Sequence, residues 1–167
     1  MAAPPPVAPK APTVIIIDDD DSVRRALGRL IKSVGRNVEL FASAEEFLQA
    51  LASEATPASI PHSAFRIPNS PVCLILDLHL PGLSGLELQH RLKTEGKNFP
   101  IVFITAFTDD HARERALSAG AIAFLYKPFD ERALLEAVEK GLAQSGRNQE
   151  SGVRSQESDP CRLTPDS

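Results

Sequence analysis

Five polar residues stand directly after apolar runs in this 167-residue chain. Asp18 and Asp19 follow Val14 to Ile17, Asp77 follows Val72 to Leu76, Thr105 follows Ile101 to Ile104, and Lys127 follows Ala123 to Tyr126. Three carboxylates brought within a few ångströms repel one another unless one is protonated or a cation joins them, and hard oxygen ligands with open water positions suit Mg²⁺. An ammonium and a hydroxyl facing the same crevice supply charge and a hydrogen bond to an oxyanion, as an aspartate carrying a phosphoryl group requires. Together the five residues read as a phosphoryl-transfer site. Taken singly each has a plainer explanation: an aspartate at a strand-to-helix junction is often a helix cap, a lone lysine a surface residue, a lone threonine a turn hydroxyl. Asp20 and Asp21 are left to capping and solvation. The recurrence of polar residues at the ends of four apolar runs favours the site.

The elements that must position these residues follow from patterning. Short apolar or β-branched runs at Val14 to Ile17, Asn37 to Phe41, Val72 to Leu76, Ile101 to Ile104 and Ala123 to Tyr126 predict five strands. Val23, Ala26, Leu27, Leu30, Ile31 and Val34 repeat at helical spacing, leaving Arg24, Arg25, Arg29 and Lys32 for the opposite face of a helix that ends at Gly35. Ser43 with Glu46 and Ser84 with Glu87 are capping-box pairs, Asp109 and Asp130 are candidate N-caps, and Gly120 and Gly141 are candidate helix stops. Alternating strands and helices imply an α/β fold, a three-layer sandwich in which a five-stranded parallel sheet is covered on both faces. Ligands of such open sheets bind outside the carboxyl ends of the strands, where all five polar residues lie. If the first and third strands are neighbours, Asp18, Asp19 and Asp77 converge.

Composition narrows the function. A formal net charge of -4 argues against nucleic acid as the main ligand. No run approaches the roughly 18 uninterrupted apolar residues of a membrane span. Cys73 lies in an apolar run and Cys161 in a polar stretch, so a disulfide framework is not expected, and a reducing, cytoplasmic setting is. His62, His79, His90 and His111 lack metal-ligand spacing and are assigned to the surface. No G-x-S-x-G elbow, GxxxxGK[ST] loop or GxGxxG fingerprint is present. The Pro/Ala-rich residues 1–12 and the polar residues 144–167 are expected to be disordered tails around a domain of residues 13–143. Residues 53–71, with four prolines, are expected to form a surface excursion before the third strand.

Through VIIIDDDDSVRRAL, LILDLHLPGLSG, FITAF and AFLYKPF, the chain resembles the response-regulator receiver family over roughly residues 13–143, the receiver half of FixJ-type regulators without an output domain. The resemblance implies a flavodoxin-like strand order of 2-1-3-4-5. It implies that Asp77 is the phospho-acceptor, with Asp18, Asp19, Asp77 and the backbone carbonyl of His79 around Mg²⁺. Thr105 would then hydrogen-bond the phosphoryl group, Lys127 pair with it, and Phe124 act as the aromatic switch, turning inward when the Thr105 hydroxyl moves. The Lys127–Pro128 bond is expected to be cis. The implied partners are a sensor histidine kinase or phosphotransfer protein as donor, a downstream protein, and a second copy in a phosphorylation-dependent homodimer. The protein is expected to be a single-domain switch and not a conventional enzyme. Two rivals remain: a receiver-shaped binding module independent of phosphorylation, and a Mg²⁺-dependent phosphatase with an Asp nucleophile. Such phosphatases resemble DxDx(T/V), whereas His79 stands where the second aspartate belongs.

Overall fold

The computed structural model describes residues 11–54 and 71–154. Ten elements alternate: β1 (Thr13–Ile17), α1 (Asp21–Ser33), β2 (Asn37–Phe41), α2 (Ala44–Glu54), β3 (Val72–Asp77), α3 (Gly85–Thr94), β4 (Ile101–Thr105), α4 (Asp110–Ser118), β5 (Ala123–Tyr126) and α5 (Glu131–Arg154). The strands form one parallel sheet in the order β2-β1-β3-β4-β5. Alternate residues of each strand enter opposite layers. Ile15, Ile17, Leu74, Leu76 and Phe103 join Phe47 of α2, Leu88 of α3 and Ala116 of α4, while Val14, Ile16, Ile75, Val102 and Ile104 join Ile31 of α1 and Leu134 of α5. Burial on both faces explains the unbroken apolar runs 14–17 of β1, 72–76 of β3 and 101–104 of β4, with polar residues only at the strand ends. The edge strand β2 has one neighbour and exposes Glu39 and Leu40.

Local signals account for most boundaries. Asp20 caps α1 by accepting from the Ser22 and Val23 amides, Asp109 caps α4 by accepting from Ala112, and Asp130 accepts from Arg132 at the start of α5. The Ser84–Glu87 box is complete. At α2, Ser43 accepts from the Glu46 amide, but the Glu46 carboxylate reaches back to Ala42 rather than Ser43. The apolar stripe of α1 is narrower than its periodicity predicts. Leu27 and Ile31 are buried and Val23 and Leu30 half-buried, but Ala26 and Val34 are exposed.

Two expectations about the ends of the domain are corrected. Gly141 does not stop a helix but lies inside α5, and α5 runs well past residue 143. Gly141 is needed there because a Cβ would fall 2.6 Å from the Cys73 Sγ, so its absence lets α5 lie close on β3. Beyond it, the buried Ser145 accepts a hydrogen bond from the Val72 amide at 3.1 Å through its Oγ, satisfying a strand N–H at the start of β3. The folded domain therefore includes residues placed in the polar tail. At the other end, Pro12 and Ala11 accept from the Asn37 backbone and side-chain amides respectively, which ties two residues of the expected tail to β2. Residues 1–10, 55–70 and 155–167, with most of both tails and the Pro-rich excursion, lie outside the described residues. Replacing Gly141 with Ala is expected to destabilise the fold by about 1–3 kcal/mol through overpacking. Urea unfolding checks this, and adding Cys73→Ala should recover part of the loss by removing the clashing sulfur. If the double variant were destabilised by the full sum of both changes, the close approach would not be the cause.

Candidate phosphoryl-transfer site

The carboxyl ends of β1 and β3 lie side by side, with Ile17 beside Leu76, and the next residues bring the acids together. One ligand oxygen from each of Asp18, Asp19 and Asp77 lies within 4.8 Å of the other two, the one such group of three potential metal ligands among the described residues. Asp18 is fully buried, Asp77 is 6% exposed, and Asp19 faces solvent. Lys127, just past β5, crosses the crevice so that its Nζ lies 3.0 Å from Asp18 Oδ2 and 3.7 Å from Asp77 Oδ2. The Lys127 amide donates to the Thr105 carbonyl at 2.7 Å, which ties its backbone to the end of β4. Its bond to Pro128 is cis.

Burial raises the Asp77 pKa from 3.8 to about 6, and the Asp18 charge adds to the rise. The Lys127 ammonium and the His79 amide, which donates to Asp77 Oδ1 at 3.2 Å, oppose it, and Asp19 contributes a smaller repulsion. One ammonium among three carboxylates leaves an excess of negative charge, which suits a divalent cation with oxygen ligands.

Thr105 is fully buried one residue beyond Ile104, the register partner of Asp77, and its Oγ1 accepts from the Phe107 amide at 3.2 Å. Phe124 is only 8% exposed, with ring centroids 6.0 Å from Phe103 and 5.4 Å from Tyr126. Its ring already lies inside, so the outward ring from which an inward swing would start is not the arrangement seen. His79 is exposed at the mouth of the site, with its ring edge-on to the exposed Phe107 at 4.9 Å. His90 and His111 are also exposed.

Two residues with a part here were not found from sequence. Arg24 was placed on the outward face of α1, yet its side chain is 16% exposed and its Nη1 donates to the Asp18 carbonyl at 2.7 Å, holding the turn that carries both acids. A long side chain can lie back along its helix, which periodicity does not register. Glu45 of α2 accepts from the Leu83 amide at 2.8 Å through its Oε1, across 38 positions of sequence that carry no signal of the contact.

A doubly covered parallel sheet of this order, with an acidic cluster and a lysine at its carboxyl edge, defines the receiver class of signalling domains. The chain belongs to the response regulator receiver domain family, whose model matches residues 14–139. It is 41% identical to Nodulation protein W of Bradyrhizobium diazoefficiens over 117 residues, covering 70% of this chain and 45% of that protein. It is 37% identical to the response regulator protein TodT of Pseudomonas putida over 121 residues, covering 72% and 47% respectively. Among solved structures, the response regulator StyR matches with a TM-score of 0.72 and 43% identity over 92% of this chain and 71% of that one. The chain thus spans somewhat under half the length of these two curated relatives. Receiver domains accept a phosphoryl group as their general function, interact with sensor kinases or phosphotransfer proteins, and bind Mg²⁺ at an acidic site. No described helix is long and apolar enough to cross a membrane.

Proposed function

We propose that this protein is a phosphorylation switch whose Asp77 accepts a phosphoryl group from a phosphohistidine of a sensor kinase or relay protein. The observation that carries this reading is the nearly buried Asp77 carboxylate, grouped with Asp18 and Asp19 and 3.7 Å from the Lys127 ammonium, which also reaches Asp18. An Asp77 oxygen attacks phosphorus, the phosphorus–nitrogen bond of the donor breaks, and its electron pair returns to the imidazole, which takes up a proton. Lys127 balances charge on the transferred group, and the Thr105 hydroxyl is released from the Phe107 amide to donate to it. Asp18, Asp19, Asp77 and the His79 carbonyl would hold Mg²⁺, which when bound neutralises charge on the phosphoryl oxygens.

Attack by water on the acyl phosphate regenerates the carboxylate and releases inorganic phosphate, so the phosphorylated population is transient. That population biases the face formed by α4, β5 and α5 toward a downstream protein or a second copy of the chain. The switch at Phe124 is a repacking among Phe103 and Tyr126, not an entry from solvent. Incubation with acetyl phosphate and Mg²⁺, followed by intact-mass and peptide mass spectrometry, tests the reading. One phosphoryl group is expected on Asp77, absent in EDTA and in Asp77→Asn. Equal labelling of that variant would remove Asp77 from the chemistry.

A further inference from the structure

The loop from Leu78 to Ser84 carries His79, the residue whose carbonyl is assigned above to the metal. It is held at its ends by local bonds. The Gly85 amide donates to the Leu78 carbonyl at 3.0 Å, and the Ser84 amide donates to the Glu87 carboxylate at 2.7 Å. Gly85 also packs so closely on the backbone that a Cβ would fall 2.6 Å from the Asp77 carbonyl. The middle of the loop turns at Gly82, which has a φ of +80° that a side chain would strain. At this turn Glu45 comes in from α2: its Oε1 accepts from the Leu83 amide at 2.8 Å, and a Cβ on Gly82 would collide with that same oxygen. Positive φ at Gly82 and the absence of a side chain leave room for a carboxylate against the loop backbone.

We infer that Glu45 is a positioning residue for the phosphoryl site, one whose carboxylate fixes the turn at Gly82 and Leu83 and thereby holds His79 at the acidic cluster. The inference rests on the metal reading given above. A plainer reading is that Glu45 is only a favourable acid in the first turn of α2. That helix start is already served by its neighbour, since Glu46 accepts from the Ala42 amide at 2.7 Å and its own amide donates to Ser43 Oγ. Glu45 instead turns to an element distant in sequence. The bond to the Leu83 amide also keeps the Glu45 pKa below its ordinary value, so the group stays ionised near neutral pH and the bond is a charge-assisted one. A preformed loop lowers the ordering cost of bringing a backbone carbonyl to a cation, so losing the clamp weakens metal binding without unfolding the protein.

The test is titration of Mg²⁺ into the full chain by calorimetry, for wild type, Glu45→Ala and Glu45→Gln. Thermal unfolding and amide hydrogen exchange of the loop are measured alongside in EDTA. Glutamine keeps an acceptor oxygen without the charge. Glu45→Ala is expected to weaken Mg²⁺ binding about three- to tenfold, the loss typical of one hydrogen bond, and to speed exchange at Leu83. Its melting temperature in EDTA should stay near that of wild type, and Glu45→Gln, which keeps an acceptor oxygen but loses the charge assistance, should lose clearly less affinity than Glu45→Ala. Wild-type affinity in Glu45→Ala would overturn the inference. Equal losses in both variants would overturn it too, because lost charge and not a lost clamp would then be the cause, and so would a metal-free protein already destabilised to match the lost affinity. A wild type that takes up no Mg²⁺ would bring down the metal reading and this inference together, whereas normal wild-type binding with an indifferent Glu45→Ala variant would bring down this inference alone.

Discussion

Asp77→Asn is expected to make the metal-free protein more stable at neutral pH, even as it abolishes phosphoryl acceptance. The Asp77 pKa is raised from 3.8 to about 6, chiefly by burial and then by the Asp18 charge. An acid whose pKa is higher folded than unfolded binds its proton more tightly in the fold. Its contribution to stability is therefore present at low pH and is lost as pH rises through the interval from about 4 to about 6. Above that interval the wild type carries an ionised carboxylate that the fold disfavours, and asparagine removes the charge while keeping the shape. The gain should be on the order of 1–2 kcal/mol at pH 7 and should shrink toward zero below about pH 4. In a domain of this size it appears as a rise of several degrees in melting temperature. Saturating Mg²⁺ should reverse the order, because a ligand that binds only the folded state stabilises the wild type and not the variant that has lost a carboxylate. Thermal melts of both proteins between pH 4 and 8, with EDTA and with Mg²⁺, provide the check. A variant less stable than wild type in EDTA at pH 7 would mean that the charged form of Asp77 is favoured, not penalised, by its surroundings.

Lys127→Ala separates charge balance from metal binding. Its ammonium is the cation in salt-bridge contact with Asp18 and Asp77 among the described residues, and Asp18 is fully buried at 3.0 Å from it. Removing one partner of a buried pair leaves a charge without compensation. The cost is typically about 3–5 kcal/mol for full burial and is expected nearer about 2 kcal/mol here, because Lys127 is 22% exposed. Denaturant unfolding in EDTA at pH 7 should show this loss. Mg²⁺ affinity should be kept or increased in the variant, since a competing positive charge has gone from the carboxylates. The phosphorylation-dependent change at the face formed by α4, β5 and α5 should be lost all the same, because the phosphoryl group loses the ammonium that would draw β5 toward it. A variant with wild-type stability and a normal NMR response to acetyl phosphate would take Lys127 out of both roles.

Much of this was legible without coordinates because the periodicities are strong and local. Five apolar runs alternate with helical patterns, and polar residues cluster where the runs end. Burial on both faces forces such runs in a parallel sheet, and short-range capping fixes where α1, α3 and α4 begin. Asp20 as a cap was readable for the same reason. The acids at the ends of β1 and β3 could be named from sequence, but their convergence depends on which strands are neighbours, a long-range pairing that no local pattern encodes.

Tertiary structure alone decided the rest. Gly141 looks like a helix stop because glycine commonly ends helices, yet here α5 needs it to pass the Cys73 sulfur. Burial pushes that thiol up to about 12, so it stays protonated and acts as packing. Ser145 sits in a polar stretch without an apolar period, but its hydroxyl accepts from the Val72 amide, and a single hydrogen bond leaves no periodic trace. Arg24, Glu45 and the buried ring of Phe124 are of the same kind. The candidate reacting groups were legible from residue type and spacing. The direction of each supporting side chain was set by which backbone groups lay within reach once the sheet had assembled, and that is settled by packing across tens of residues.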